Sequence, residues 1–401
     1  MDNFLKGKRG ETFVNELAEN TFLNYWCFPN PHDEEGNKKE ICDLLILFKN
    51  ICIICQIKNY EFKENHERYF RKTVESGADQ IQGAERKLFH LNRDIWIKNE
   101  KQGLIKFDKE KYNEIIRIVI HIGEGFQFQN LGRLTKSNHE FIHIIGKEDI
   151  QYLLNELNTI SDFVQYLIAR ESLVAKIENL VFAGREKDLL GLYQRIKPSF
   201  EDFIESNKDK VLLIDGENSW DDYVKEKESY ENEDILLEIE GFIYDWVNRD
   251  LIINEKSREI AEELMSLNRE ERRFFTASLL TFIHSYTDKG FNRIIRRNLS
   301  INNIGFVFFY YPSGISWEQL ERLKLIAADG YALHLDYSIV NFIVIGITEK
   351  ENINILHVDL TELKDKNTDE LRKILKHLGW FEKENMQYME FDFNKRTKNC
   401  R

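Results

Sequence analysis

Two apolar runs separated by only two residues constrain this chain more than any other feature. Glu40-Ile41-Cys42-Asp43-Leu44-Leu45-Ile46-Leu47-Phe48 is followed by Lys49-Asn50 and then by Ile51-Cys52-Ile53-Ile54-Cys55-Gln56-Ile57-Lys58. Short apolar runs joined by a two-residue linker read as an antiparallel hairpin buried on both faces. If Phe48 pairs with Ile51, the ladder counts back to place Asp43 opposite Gln56, with Cβ atoms about 4.5 to 5.5 Å apart. Lys58 lies two residues further on and projects to the same side. A carboxylate, an amide oxygen and an ammonium are therefore expected to converge in an apolar setting. Burying such groups is costly without partners, and a divalent ion and a phosphate would serve as partners.

Asp43, Gln56 and Lys58, in this order and on adjacent strands, resemble the PD-(D/E)xK nuclease superfamily in the Gln-x-Lys form of Mrr-like restriction endonucleases. The resemblance covers roughly residues 1–150. It implies that Asp43 and Gln56 hold Mg²⁺, with Mn²⁺ as an alternative, and that Lys58 positions or activates the attacking water. The family also carries a Glu on the helix before the hairpin, matched by Glu11 in Lys8-Arg9-Gly10-Glu11-Thr12-Phe13, which implies a third metal contact. A downstream helix with a Gln is matched at Gln80 in Ala78-Asp79-Gln80-Ile81-Gln82. No Pro precedes Asp43, and Gln56 stands where Glu is usual. Replacing Glu by Gln removes one negative charge from the ligand set and predicts weaker metal binding. The bland alternative is a buried hairpin in which Asp43 and Lys58 form an ion pair, which would require no nearby Glu11.

Charge is the next constraint, because a net charge of −13 is unusual for a protein that touches DNA. Residues 1–160 carry 23 Lys and Arg against 25 Asp and Glu, and the remainder 33 against 44, so the acidity lies mostly outside the hairpin region. Nucleic-acid binding needs a local basic surface and not a basic total. Lys8 and Arg9 near the first helix, and Arg71, Lys72, Gln80 and Arg86 around the second, are the candidate DNA contacts. Lys6, Arg68 and Lys87 extend the same clusters. Each of them, taken alone, reads first as a solvated helix face.

The five cysteines form no disulfide framework. Cys52 and Cys55 are spaced as Cys-x-x-Cys, but within a strand that spacing sends the thiols to opposite faces, and no second ligand pair follows. The chain opens without the apolar run of a signal peptide, and no apolar stretch reaches 18 residues, so a cytoplasmic protein with no membrane partner is expected. No Gly-x-x-x-x-Gly-Lys-Ser/Thr occurs, so any ATP-driven step would belong to a partner ATPase.

The expected class is α/β in three parts. Residues 1–150 form a restriction-endonuclease-like core, a mixed sheet flanked by helices, with a helix over about 9–22, a long helical region over about 67–90, and strands near 115–122 and 140–145. Phe28-Pro29-Asn30-Pro31-His32-Asp33-Glu34-Glu35-Gly36 reads as a loop beside Asp43. Residues 151–240 form a helical connector ending in the acidic segment 218–240. Residues 241–401 form an α/β or α+β sensor or assembly domain, with strands at 304–311 and 340–347 and a helix from Trp317 capped by Ser316. Lys289, Arg293, Arg296 and Arg297 cluster before it, Arg293 and Arg297 being an i, i+4 pair if helical. This cluster suits DNA phosphates, an acidic partner or the chain's own acidic segment, and self-pairing is the default in so acidic a half.

The function these readings point to is Mg²⁺-dependent hydrolysis of DNA phosphodiesters. The resemblance implies the nuclease effector of a prokaryotic restriction or anti-phage defence system, working as a homodimer or higher oligomer, with a defence-complex subunit as a further partner. Two alternatives stand beside it: a repair or recombination nuclease acting on branched DNA, and a catalytically silent DNA-binding or scaffold subunit.

Overall fold

The computed structural model describes residues 3–123, 131–134, 140–196, 200–215, 218–230, 241–286, 295–312, 314–348, 353–361 and 368–381. The chain is mixed α/β and divides into two compact units, residues 1–231 and 232–401. Among the described residues no helix is long and apolar enough to cross a membrane.

The first unit is built on a six-stranded mixed sheet in the order β1-β2-β3-β6-β8-β7. Its strands are β1 (Cys27–Pro29), β2 (Leu44–Phe48), β3 (Ile51–Lys58), β6 (Glu114–His121), β7 (Gly132–Leu134) and β8 (Phe141–Gly146). The hairpin pairs Phe48 with Ile51 and Leu44 with Cys55, the register counted from the sequence. Lys49, with φ of 49°, takes the left-handed backbone at the turn. β3, β6 and β8 run parallel, and every residue of β2 and β8 is buried, the pattern of a sheet covered on both faces.

Side-chain alternation divides the helices between those faces. Leu45, Leu47, Cys52, Ile54 and Val119 pack with Ala78, Ile81, Ala84 and Leu88 of α3 (Ser76–Phe89). This helix continues α2 (His66–Phe70) through a π turn at Arg71–Glu75, so the crossover from β3 to β6 begins as one long helical run. Asn65 caps it, its side chain accepting from Arg68 N at 2.8 Å. The opposite face carries α1 (Asn3–Phe22) and α4 (Lys147–Glu156), and Trp26 packs edge-on against Phe48. The hairpin β4 (Trp96–Asn99) and β5 (Gly103–Lys106) is a separate two-stranded sheet.

The stretch expected as a connector is helical as read: α5 (Ile160–Lys176), α6 (Glu186–Ile196), α7 (Glu201–Asn207) and α8 (Ser219–Tyr230). Within it β9 (Leu180–Phe182) and β10 (Leu212–Ile214) form a two-stranded parallel sheet that periodicity did not show. Residues 231–240 lie outside the described residues. The helices of 151–230 belong to the same compact unit as the large sheet. Arg170 on α5 is part of the reason, since it reaches His143 and Ile144 of β8 from below a fully buried position.

The second unit holds a four-stranded sheet ordered β11 (Ile295–Ile301), β12 (Ile304–Tyr310), β13 (Asn341–Ile347) and β14 (Ile353–Asp359). β12 and β13 are parallel, linked by α11 (Trp317–His334), and the edge strands add antiparallel. Ser316 caps α11 in a reciprocal capping box with Gln319. α9 (Arg258–Ser266) and α10 (Arg269–Tyr286) precede the sheet, and α12 (Thr368–His377) follows it. Phe306 and Phe308 meet Phe275 of α10, while Val307 and Phe309 face α11 and α12. Arg296 and Arg297 lie on β11, and not on a helix, as neighbours on opposite faces. Lys289 and Arg293 lie outside the described residues.

Candidate active site on the central hairpin

Asp43 sits where β2 parts from β3. Its amide still donates to Cys55 O at 3.2 Å, but its side chain replaces the next rung of the ladder: Ile57 N donates to Asp43 Oδ2 at 2.5 Å. The carboxylate thereby satisfies a buried amide that the departing strand would have left bare. The loop read from the sequence folds back over this point. Asn30 N donates to Asp43 O at 2.9 Å, Ile41 N donates to Pro31 O at 2.8 Å, and His32 bridges to Glu40. Within this segment Cys27–Pro29 forms β1.

Gln56 is 4% exposed, and its Oε1 accepts from Lys58 Nζ at 3.2 Å. Lys58 Nζ stands 4.0 Å from Asp43 Oδ2. The three side chains thus share the sheet face that α3 covers. Burial pushes the Lys58 ammonium below its ordinary range, against the opposing pull of Asp43, Glu11 and Glu40. Glu11 comes in from α1, where Gly10 packs so closely on Ile122 and Asn59 that a Cβ would meet Ile122 Cδ1. This close approach at the ends of β3 and β6 brings Glu11 into the field of Lys58 and Glu40.

Glu40 was passed over in the sequence. Its carboxyl hydrogen-bonds that of Asp43, and its pKa is pushed up to about 6 by burial, then by the Asp43 charge and hydrogen bond, then by Glu11. Its spacing three residues before Asp43 carried no signal, because the turn that folds it back runs through Pro31 and His32. His121 was also passed over. It pairs with Lys58 in the parallel register and is 5% exposed, and burial holds its imidazole down to about 4, so it is neutral at neutral pH.

The candidate DNA contacts are less gathered. Arg71, Lys72, Gln80 and Arg86 are exposed on the outer side of the crossover helix, and Lys8 and Arg9 lie on α1 with side chains outside the description. Lys87 comes nearest the site: its Nζ donates to Glu40 O at 2.5 Å. Cys52 and Cys55 are buried on alternate faces, and burial pushes both thiols up.

Among the described residues no three His, Cys, Asp or Glu side chains come together as a metal-holding group. Mg²⁺ does not need one, since it keeps several waters and takes one or two carboxylates. The donors here are hard oxygens: the Asp43 carboxylate, the Glu40 carboxyl leaning on it, the Gln56 amide and Glu11 close by. Two carboxyls in hydrogen-bonding contact, one holding its proton to about pH 6, are a pair that a divalent cation would relieve. The residues present fit the ion. Comparison with protein-family models, with curated proteins and with solved structures gives no match for this chain.

Proposed function

We propose that this chain is a metal-dependent nuclease that hydrolyses DNA phosphodiesters at the Asp43, Gln56 and Lys58 cluster. The observation that carries the reading is the meeting of these three side chains on one buried sheet face within the electrostatic reach of Glu11. A purely structural Asp43–Lys58 pair would not need Glu11 or Glu40 beside it.

Asp43, Gln56 and Glu40 would hold the ion, with Glu11 directly or through water. When bound, Mg²⁺ neutralises charge on the scissile phosphate and lowers the pKa of its water. The protein's own part follows from its geometry. The Ile57 amide fixes Asp43 Oδ2, which leaves the other oxygen as the ligand and prevents the carboxylate from swinging. Gln56 Oε1 orients Lys58. Lys58, with an ammonium eased toward deprotonation by burial, donates to the phosphate or holds the attacking water as charge develops. Lys87 lies where it can meet the flanking backbone phosphate.

The restriction-endonuclease-like layout of residues 1–150, and a role as effector of a defence system with a partner ATPase, form part of this proposal and rest on the Gln-x-Lys resemblance. Cutting both strands with one site per chain favours a homodimer. The test is plasmid cleavage by purified protein with Mg²⁺ or Mn²⁺. Asp43→Ala and Lys58→Ala should each lower the rate roughly 100-fold or more. Equal cleavage by all three proteins removes the assignment, and no cleavage of any DNA form favours the silent scaffold.

A further inference from the structure

The second unit contains a positive group with no counter-charge among the described residues. Arg296, on edge strand β11, lies on the face shared with Phe309 and turned toward α11 and α12. Its guanidinium carbon stands 3.5 Å from the Phe381 ring centre and 5.2 Å from that of Trp380. The Nη1 atom is buried and has no hydrogen-bond partner. Trp380, 5% exposed, likewise has a buried Nε1 with no partner, and that atom belongs to the ring beside Arg296. Two residues along β11, roughly 7 Å away on the same face, Asn298 Oδ1 is a third such atom. The next position on that face, Ser300, shares a hydrogen bond with Tyr331 at 2.8 Å.

Two unsatisfied buried donors on neighbouring side chains are unusual, because each costs free energy that the fold could avoid with an apolar residue. Their placement is also specific. Gly379, at φ of 66°, ends α12 with paired bonds from Gly379 N to Lys376 O and from Trp380 N to Leu375 O. Only a residue free of Cβ strain takes that turn readily, and it is what delivers Trp380 to Arg296. Among the described residues no carboxylate acts on Arg296; burial lowers its pKa to about 10, against the opposing pull of Tyr331.

We infer that Arg296 and Trp380 form a binding site for an oxyanion of the phosphate type, distinct from the hairpin cluster of the first unit. A guanidinium edge and an indole N–H offer unpaired donors to one anion, and the planar fork of Arg296 matches phosphate or carboxylate oxygens. The aromatic rings hold the guanidinium in place by cation–π contact.

The test is titration of the full-length protein, followed by Trp fluorescence and thermal shift, with inorganic phosphate, a nucleoside monophosphate, acetate, and chloride at matched ionic strength. Saturable stabilisation by phosphate or the monophosphate, absent with chloride, is expected. Preference between them separates a free-phosphate site from a nucleotide site, and acetate alone acting would overturn the phosphate assignment. Arg296→Met should raise the apparent Kd about tenfold or more while leaving the unliganded protein as stable or more so. Should that variant not fold, Trp380→Phe keeps the ring, removes the N–H and should weaken binding several-fold. Identical responses of wild type and the folded variants, or a response equal to chloride, overturn the site. Lys58→Ala should leave this binding unchanged, so loss of the nuclease reading would not touch it.

Discussion

One oxygen of Asp43 is committed to the Ile57 amide, and the neighbouring Glu40 carboxyl keeps its proton to about pH 6 first through burial and then through its contact with Asp43. That dependence can be measured. Carboxyl-detected NMR should find Glu40 titrating near pH 6 in the wild type, and Asp43→Asn should move it part of the way back toward 4.5, the share due to burial remaining. A raised acid favours the folded state in its protonated form. The contribution of Glu40 is therefore complete below about pH 4.5 and is lost as pH rises through about 6. Glu40→Gln, which keeps the shape without the titration, should flatten stability across that window; an unchanged slope would show that Glu40 does not lean on Asp43 in solution. Glu40 is exposed as a whole residue, so the effect will be small. At this scale the sequence revealed Asp43, Gln56 and Lys58 because a strand's two-residue period converts spacing directly into a shared face. It did not reveal Glu40 or His121. One depends on a loop path, and the other on which distant strand lies next to β3.

Between elements, a fully buried ionic contact joins α5 and α6 to the large sheet. Arg170 of α5 donates to Glu186 of α6 at 2.8 and 3.0 Å, to His143 Nδ1 at 3.1 Å and to Leu131 O, while Tyr166 donates to Glu186 at 2.6 Å. Arg170 and Glu186 are 0% and 2% exposed, so removing one partner strands a charge in the interior. Glu186→Ala should cost about 3–5 kcal/mol in urea unfolding, whereas the double change Arg170→Met with Glu186→Leu should cost much less. Equal losses would mean that packing, and not charge pairing, joins α5 and α6 to the sheet. Helical periodicity located α5 and α6 but not this network, because their apolar stripes do not reveal which sheet they cover. β9 and β10 escaped for a related reason: three-residue strands bury too little to leave an alternating pattern.

Across the whole chain, two compact units imply two unfolding events. Calorimetry should resolve two transitions, with Mg²⁺ raising the one that belongs to residues 1–231 and phosphate, in a separate scan, the one that belongs to 232–401. A single transition shifted by both ligands would contradict that independence. Duplex cleavage, if a dimer is needed, should fall more steeply than linearly on dilution. Taken alone, the sequence determined the hairpin, its register and the mixed α/β class, because burial on both faces of a strand pair leaves only one spacing for polar groups to share. It also determined the capped helix between β12 and β13, where Ser316 and Gln319 write the start of α11 locally. Tertiary structure decided the rest: that Glu40 returns to Asp43, that α5 and α6 belong with the large sheet, and that Arg296 meets Trp380 from the far end of the second unit. Those contacts join residues distant in the chain, and no local period or propensity records which surfaces will be brought together when the cores close.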